Sequence, residues 1–221
     1  GGGIYRPVFI KTSSKSYIKT DGIKINTVSI NEPTVHIETD YIQNEEGIEV
    51  IIEIYDNEQF VGSASGNHAD ITIANAKLWS AENPHLYKAV IKLVKNNITL
   101  DTEETLFGVR EIKYSTKGLF VNGDEVLLRG GCIHHDNGIL GAACFDESED
   151  RRVRIMKKNG FNAIRMSHNP ASRALLEACD RQGMYLMDEA FDMWFNRKNT
   201  YDYGVNFDEC WKDDIKAMVS N

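Results

Sequence analysis

The chain has 221 residues, 42% of them hydrophobic, and a formal net charge of −8 at pH 7. Its length and apolar content support one large domain or two ordinary ones with real hydrophobic cores. The acidic balance argues against a nucleic-acid partner or an anionic membrane surface, and no run approaches the roughly 18 apolar residues of a membrane span.

The four cysteines are too scattered for a shared structural role. Cys132, Cys144, Cys179 and Cys210 contain no CxxC pair and form no dense framework. Neither a zinc knuckle nor a disulfide scaffold is therefore indicated. We expect buried, unpaired thiols, which is the usual state of a free cysteine.

Residues 17 to about 110 show the alternation of half-buried β-strands. It is plainest in Ile48, Val50, Ile52 and Ile54, and turn signals such as Glu46-Gly47 separate the apolar runs. About seven short strands within roughly 95 residues are typical of an antiparallel sandwich of the immunoglobulin type.

From about residue 112 the pattern changes to strand, turn and helix. Each of the first two helices ends at a glycine and is followed by a short apolar run, so the order is β-α-β-α-β-α. That order requires parallel strands with crossover helices. The predicted helices are Glu149 to Lys158, Ser172 to Gln182, and Phe207 to Val219.

Three βα units are only part of a closed (β/α)8 barrel. An open three-stranded parallel sheet has two unpaired edges, a state that natural domains usually avoid. We therefore expect the chain to be truncated after its third helix. The unpaired edges would allow association into a homo-oligomer.

Polar side chains follow all three predicted parallel strands. Residues 134–136 read His-His-Asp, residues 168–169 read His-Asn, and residues 188–189 read Asp-Glu. The carboxyl ends of parallel barrel strands open on one face, where barrel enzymes keep their chemistry. The sequence therefore predicts that these residues converge on one site.

Several segments, in the right order, strongly resemble glycoside hydrolase family 2, and within it the bacterial β-galactosidases. Residues 129–141, 162–170 and 179–192 resemble the family's barrel, and residues 78–87 and 107–110 resemble the segments before it. Residues 3–6 resemble the last strand of the family's upstream jelly-roll domain, which is sugar-binding-like. The resemblance implies three parts: residues 1–11 from that upstream domain, an immunoglobulin-like sandwich at 12–111, and the start of a TIM barrel at 112–221.

The resemblance also implies a retaining exo-β-glycosidase that removes terminal β-galactosides, with one carboxyl as acid/base and another as nucleophile. Both glutamates are expected beyond Asn221, so the chain by itself should be inactive. β-Glucuronidase and β-mannosidase are alternatives within the family. A non-catalytic carbohydrate-binding or interaction module is an alternative from another class. No cofactor is expected, and the partner is a β-galactoside or related oligosaccharide.

Five residues are predicted to contact the sugar. Adjacent residues on an extended segment point to opposite sides, so we expect only one of the two neighbouring histidines to face the ligand, and we assign it to the second. The acid after it would accept hydrogen bonds from hydroxyls. A tryptophan in the loop after strand three would stack on the sugar ring or pack on its own helix. The five are His135, Asp136, His168, Asn169 and Trp194.

Four further residues are predicted to support the site. Arg165 lies among apolar residues on strand two and should pair with Asp188 or Glu189, because a buried charge must be paired. Those two acids are consecutive on a strand and face opposite sides, so they cannot flank one glycosidic bond. His134 is expected to be structural. No metal site is predicted, since no HxH or HExxH spacing occurs and residues 190–194 lack the histidine and glutamate of the family's magnesium loop.

Overall fold

The computed structural model describes residues 4–220 and divides into two compact units. One unit is Ile10–Leu127, and the other joins the segment up to Phe9 with the segment from Leu128 onward. Residues 4–16 contain no strand. Gly1–Gly3 lie outside the described residues, and so does part of the predicted upstream segment 1–11. That segment and the boundary at 111/112 stay predictions.

The first unit contains the predicted immunoglobulin-like sandwich. Its seven strands form a three-stranded sheet in the order β1-β2-β5 and a four-stranded sheet in the order β4-β3-β6-β7. All pairings within these two sheets are antiparallel. The strands are β1 (Tyr17–Ser29), β2 (Thr34–Ile42), β3 (Glu49–Asp56), β4 (Gln59–Ser65), β5 (His68–Thr72), β6 (Tyr87–Lys95) and β7 (Ile98–Phe107).

The alternating apolar residues of these strands form the core between the two sheets. On β3, Val50, Ile52 and Ile54 are buried. Val35 and Ile37 on β2 join them in one cluster. The period of two along a strand sends the residues between them to the outer face.

A small antiparallel sheet follows the sandwich, where parallel β/α units were expected. Its strands are β8 (Ile112–Ser115), β9 (Gly118–Val121) and β10 (Asp124–Val126). Asn122 and Gly123 both have positive φ, which gives the tight turn of a two-residue hairpin. The expectation that the strand, turn and helix pattern begins at about residue 112 was therefore wrong, because the first parallel strand comes only after these hairpins. Leu127 and Leu128 precede the first parallel strand and are exposed.

The second unit contains the three predicted βα repeats. Strands β11 (Gly130–Ile133), β12 (Ala163–Met166) and β13 (Tyr185–Met187) are parallel and neighbour one another in that order. Helices α1 (Asp146–Lys158), α2 (Arg173–Gln182) and α3 (Phe207–Ser220) follow them in turn, confirming the predicted helices. This arrangement is the first part of a TIM barrel.

Local sequence sets the ends of these elements. Ser172 caps α2 by accepting a hydrogen bond from the Leu175 amide, and Gly183 ends that helix in the left-handed conformation with φ of 73°. A Cβ at position 130 would lie 2.4 Å from the Ala163 carbonyl oxygen, so β11 and β12 can approach as they do only with glycine there.

All four cysteines are free. Cys144 and Cys179 are buried, as expected, but Cys210 is only partly buried and Cys132 is exposed, so the expectation was wrong for these two. The Cys132 side chain lies on the face of β11 away from the helices, since the adjacent Ile133 packs against the cluster that contains helix residues. Within residues 4–220, no helix is both long enough and apolar enough to cross a bilayer.

Candidate functional site

The alternation along β12 separates apolar from polar side chains. Ile164 and Met166 pack with Val153 and Leu175 of the helices. Arg165, between them, faces the other way, and its Nη1 donates to the Cys132 Sγ at 3.2 Å. The face of the sheet away from the helices therefore carries the polar groups.

Four residues, which we call the strand-end cluster, meet at the carboxyl ends of the three parallel strands: His134, Arg165, His168 and Glu189. Arg165 Nε donates to Glu189 Oε1. His168 Nδ1 lies 2.9 Å from Glu189 Oε2 and 3.5 Å from Arg165 Nη2. The His134 and His168 rings meet edge to face at 5.5 Å, and the Ser167–His168 peptide is cis. One carboxylate thus holds both a guanidinium and an imidazole.

The environment of Glu189 favours its charged form. Partial burial by itself would raise the pKa of this carboxyl, but the hydrogen bonds from His168 and Arg165 outweigh it and hold the pKa below its ordinary value. Glu189 is therefore ionised at neutral pH and fixes the positions of both partners.

The lowered pKa of Glu189 predicts an acid-sensitive contribution to stability. Such a contribution is complete above the ordinary glutamate pKa of the unfolded state, 4.5, and is lost as pH falls through the lower folded pKa. We expect Glu189→Gln to flatten the fall in the free energy of unfolding on the acid side of that unfolded-state pKa. Urea titrations across that range measure it. Glu177→Gln, an exposed change on α2, is the control, and equal slopes for wild type and Glu189→Gln would contradict the prediction.

Asp188 faces away from the strand-end cluster. Its Oδ1 accepts a hydrogen bond from the Ala171 amide at 2.9 Å, and burial raises the pKa of its carboxyl. Because Asp188 and Glu189 point to opposite sides of β13, they do not form a carboxyl pair around one bond.

His135 lies in a second environment, a cavity of about 400 Å³ lined by Tyr5, Arg6, His135, Ala142, Asn169 and Pro170. Its ring packs against Tyr5 at 5.8 Å. Burial lowers the pKa of His135, and the Arg6 charge lowers it further. The structure therefore separates the two adjacent histidines: His134 and His168 share one cluster, and His135 and Asn169 share another.

The loop after β11 is held by a network that the sequence patterns did not reveal. Glu149 is buried on α1 and pairs with Arg152 Nη1 at 3.2 Å. Arg152 Nη2 donates to the His134 carbonyl at 2.6 Å, and Asn137 Nδ2 donates to Glu149 Oε1 at 3.3 Å. Asp136 is exposed and accepts from the Gly138 amide at 3.0 Å. The sequence signal for this network was Glu149, a carboxylate on the apolar side of α1.

Some aromatic residues of the loop after β13 are packed, and one is exposed. Phe195 packs on Phe207 of α3 at 4.8 Å, and Phe191 stacks on Tyr203 at 4.9 Å. Trp194 is 62% exposed. Part of the loop thus packs on its own helix, while the indole of Trp194 is accessible to a ligand.

Comparison with known proteins gives the same family over both units. The profile described as Glycosyl hydrolases family 2 matches residues 7–110. The profile described as Glycosyl hydrolases family 2, TIM barrel domain, matches residues 112–213. Together they account for nearly the whole chain.

Individual relatives agree with the profiles. A β-galactosidase of Bacteroides ovatus is 33% identical over 99% of this chain and 28% of its own length. The crystal structure of a glycosyl hydrolase family 2 member from Bacteroides cellulosilyticus matches with a TM-score of 0.92 and 37% identity, over 100% of this chain and 31% of that one. An FMN-binding β-glucuronidase from Facaelibacterium prausnitzii matches with a TM-score of 0.75 and 26% identity, over 80% of this chain and 29% of that one. The chain thus spans under a third of the length of these relatives.

Proposed function

Because the chain belongs to glycosyl hydrolase family 2, we propose that it is the immunoglobulin-like domain and first barrel strands of a retaining exo-β-glycosidase acting on terminal β-galactosides. The observation that carries this proposal is the strand-end cluster. Its two imidazole groups lie where barrel enzymes bind their substrates, and imidazole nitrogens are short, directional partners for sugar hydroxyls.

Within this site, we assign His134 and His168 as sugar contacts and Arg165 with Glu189 as their support. His168 is partly exposed and already oriented by Glu189. His134 lies beside it, whereas His135 points toward Tyr5. The geometry therefore favours His134 over the sequence-based choice of His135. The roles predicted for Asp136, Asn169 and Trp194 stay predictions.

In this proposal, sugar binding and catalysis are carried by different parts of the enzyme. A retaining mechanism needs two carboxyl groups about 5 Å apart, one as nucleophile and one as acid/base. Asp188 and Glu189 face opposite sides, and Glu189 is held by Arg165 and His168. We therefore propose that this chain orients the sugar and that residues beyond Asn221 supply both catalytic carboxyls.

We favour a neutral galactoside over a glucuronide because of the charges in this cluster. The carboxylate of a uronic acid is bound best by a cationic side chain. In the strand-end cluster, the guanidinium of Arg165 already pairs with Glu189. The β-galactosidase of Bacteroides ovatus supports the galactoside, and the β-glucuronidase match supports the alternative. Rates on β-galactosides, β-glucuronides and β-mannosides, measured on the complete protein, separate the three.

A purely carbohydrate-binding role for the sandwich receives no support from its tryptophan. Trp79 is only 2% exposed, so its ring is not available to stack on a sugar. Binding of galactose to a sandwich-only protein, measured by calorimetry, would revive that alternative.

In the complete protein, His168→Ala should lower kcat/KM on a chromogenic β-galactoside by about 10- to 100-fold. The reason is that a hydrogen bond to a hydroxyl that tightens in the transition state is worth about 1–3 kcal/mol. His135→Ala is the matched control and should change kcat/KM by less than about 3-fold. Steady-state kinetics and thermal unfolding together give the readout. Loss of thermal stability with intact activity per folded molecule would show that His168 only supports the fold.

A further inference from the structure

The outer face of the β1-β2-β5 sheet carries a group of metal-ligating side chains that the sugar site does not use. His36 and Glu38 lie two residues apart on β2, so both point outward between buried neighbours. In the antiparallel register, Asp70 of β5 lies opposite His36, and His68 lies opposite Glu38. Two adjacent strands thus place two imidazoles and two carboxylates on one patch.

Three of these residues lie close enough together to form a chelating set. His36, Glu38 and His68 each offer one ligand atom, and the three atoms lie within 4.8 Å of one another. His36 Nε2 is 3.8 Å from Glu38 Oε1, and the two imidazole rings stack at 6.1 Å. His36 and Glu38 are partly exposed and His68 is exposed, so small side-chain rotations would bring all three onto one ion.

Asp70 supports this arrangement by orienting His36. Its Oδ1 lies 2.5 Å from His36 Nδ1, so the ring proton is held there. The lone pair is then left on Nε2, the nitrogen that faces Glu38. Histidine ligands of metals commonly donate their second ring N–H to a carboxylate in this way, which fixes both tautomer and orientation.

We propose that His36, Glu38 and His68 bind one Zn²⁺ or a similar late first-row divalent cation, with Asp70 as the positioning residue. Two imidazole nitrogens and one carboxylate oxygen are zinc ligands, and three protein ligands leave a fourth position for water. Hard cations such as Mg²⁺ and Ca²⁺ prefer sets made only of oxygen. Lys24 of β1 lies opposite Glu38 in the antiparallel register, so one positive charge is carried by the neighbouring strand.

The ion would join an edge strand to the centre of its sheet. Within this sheet β5 is bonded to β2 alone. Glu38 and His36 come from β2 and His68 from β5, so one ion bridges the two strands. Because a ligand that binds only the folded state stabilises it, zinc should raise the melting temperature of this unit.

Calorimetric titration of the 221-residue chain with ZnCl2, in excess Mg²⁺, tests the proposal. We expect one site that His36→Ala and His68→Ala each abolish, and that Asp70→Asn weakens by about 10- to 100-fold. His134→Ala is the control, since that histidine lies in the other unit and should not change this site. Circular dichroism verifies that each variant is folded.

A second measurement locates the ion directly. Zinc should shift the ring resonances of His36 and His68 in NMR spectra, and should raise the melting temperature of wild type but not of the His36→Ala/His68→Ala double variant. Retention of the site in that double variant, loss of the site in His134→Ala, or displacement of zinc by Mg²⁺ would each overturn the proposal.

Discussion

The 221-residue chain should hydrolyse a chromogenic β-galactoside no faster than buffer does. Glycosidases of this type lower their barrier by acid and nucleophilic catalysis together, and enzymes supply about 8–23 kcal/mol in all. Two carboxyls lie near the strand ends among the described residues. Glu189 forms hydrogen bonds with Arg165 and His168, and Asp188 accepts a hydrogen bond from the Ala171 amide. Because neither of these two carboxyls is free to act as nucleophile or acid/base, we expect no measurable turnover.

The assay needs a variant that separates true activity from contamination. Glu189→Gln serves this purpose, because Glu189 is the carboxylate at the centre of the strand-end cluster. Turnover that disappears in Glu189→Gln, while the variant remains folded, would show that the chain contains its own catalytic carboxyl and would refute the prediction. Equal residual rates in both proteins would identify a contaminant.

Replacing Trp79 by alanine should cost the sandwich unit about 3–5 kcal/mol of unfolding free energy, the usual range for a buried tryptophan. The ring lies 4.6 Å from the Arg110 guanidinium. A Cβ at Gly108 would come within 2.7 Å of Trp79, which shows how closely this backbone packs against it. A cavity here would loosen the end of β7 and the segment after it.

Chemical denaturation followed by circular dichroism measures this loss. Tyr114→Ala is the control from the same unit, because Tyr114 is 87% exposed and its removal should change stability by about 0.5 kcal/mol or less. If Trp79→Ala costs no more than Tyr114→Ala, the segment at 108–110 is not held by this ring.

The sequence by itself determined the elements whose pattern is local. Strand alternation in Val50, Ile52 and Ile54 predicted the sandwich, because a period of two is a property of the chain and not of its neighbours. Helices α1 and α2 were predicted because their apolar stripes end at Gly160 and Gly183, which allow the left-handed backbone. Residues 112–126 differ from the sequence-based expectation, because the Asn122-Gly123 turn makes them antiparallel hairpins and not parallel units.

Only the tertiary structure decided which side chains meet. The alternation rule predicted that His134 and His135 diverge, but it could not say which of them joins His168, because that depends on which side of β11 the helices cover. The pairing of Arg165 with Glu189 was likewise one of two choices until β13 was placed beside β12. The proximity of His36, Glu38 and His68 depends on the register between β2 and β5, across 32 residues of chain, counted from His36 to His68. Linear spacing does not contain that register, because it is fixed only when both strands bury their inner faces in the same core.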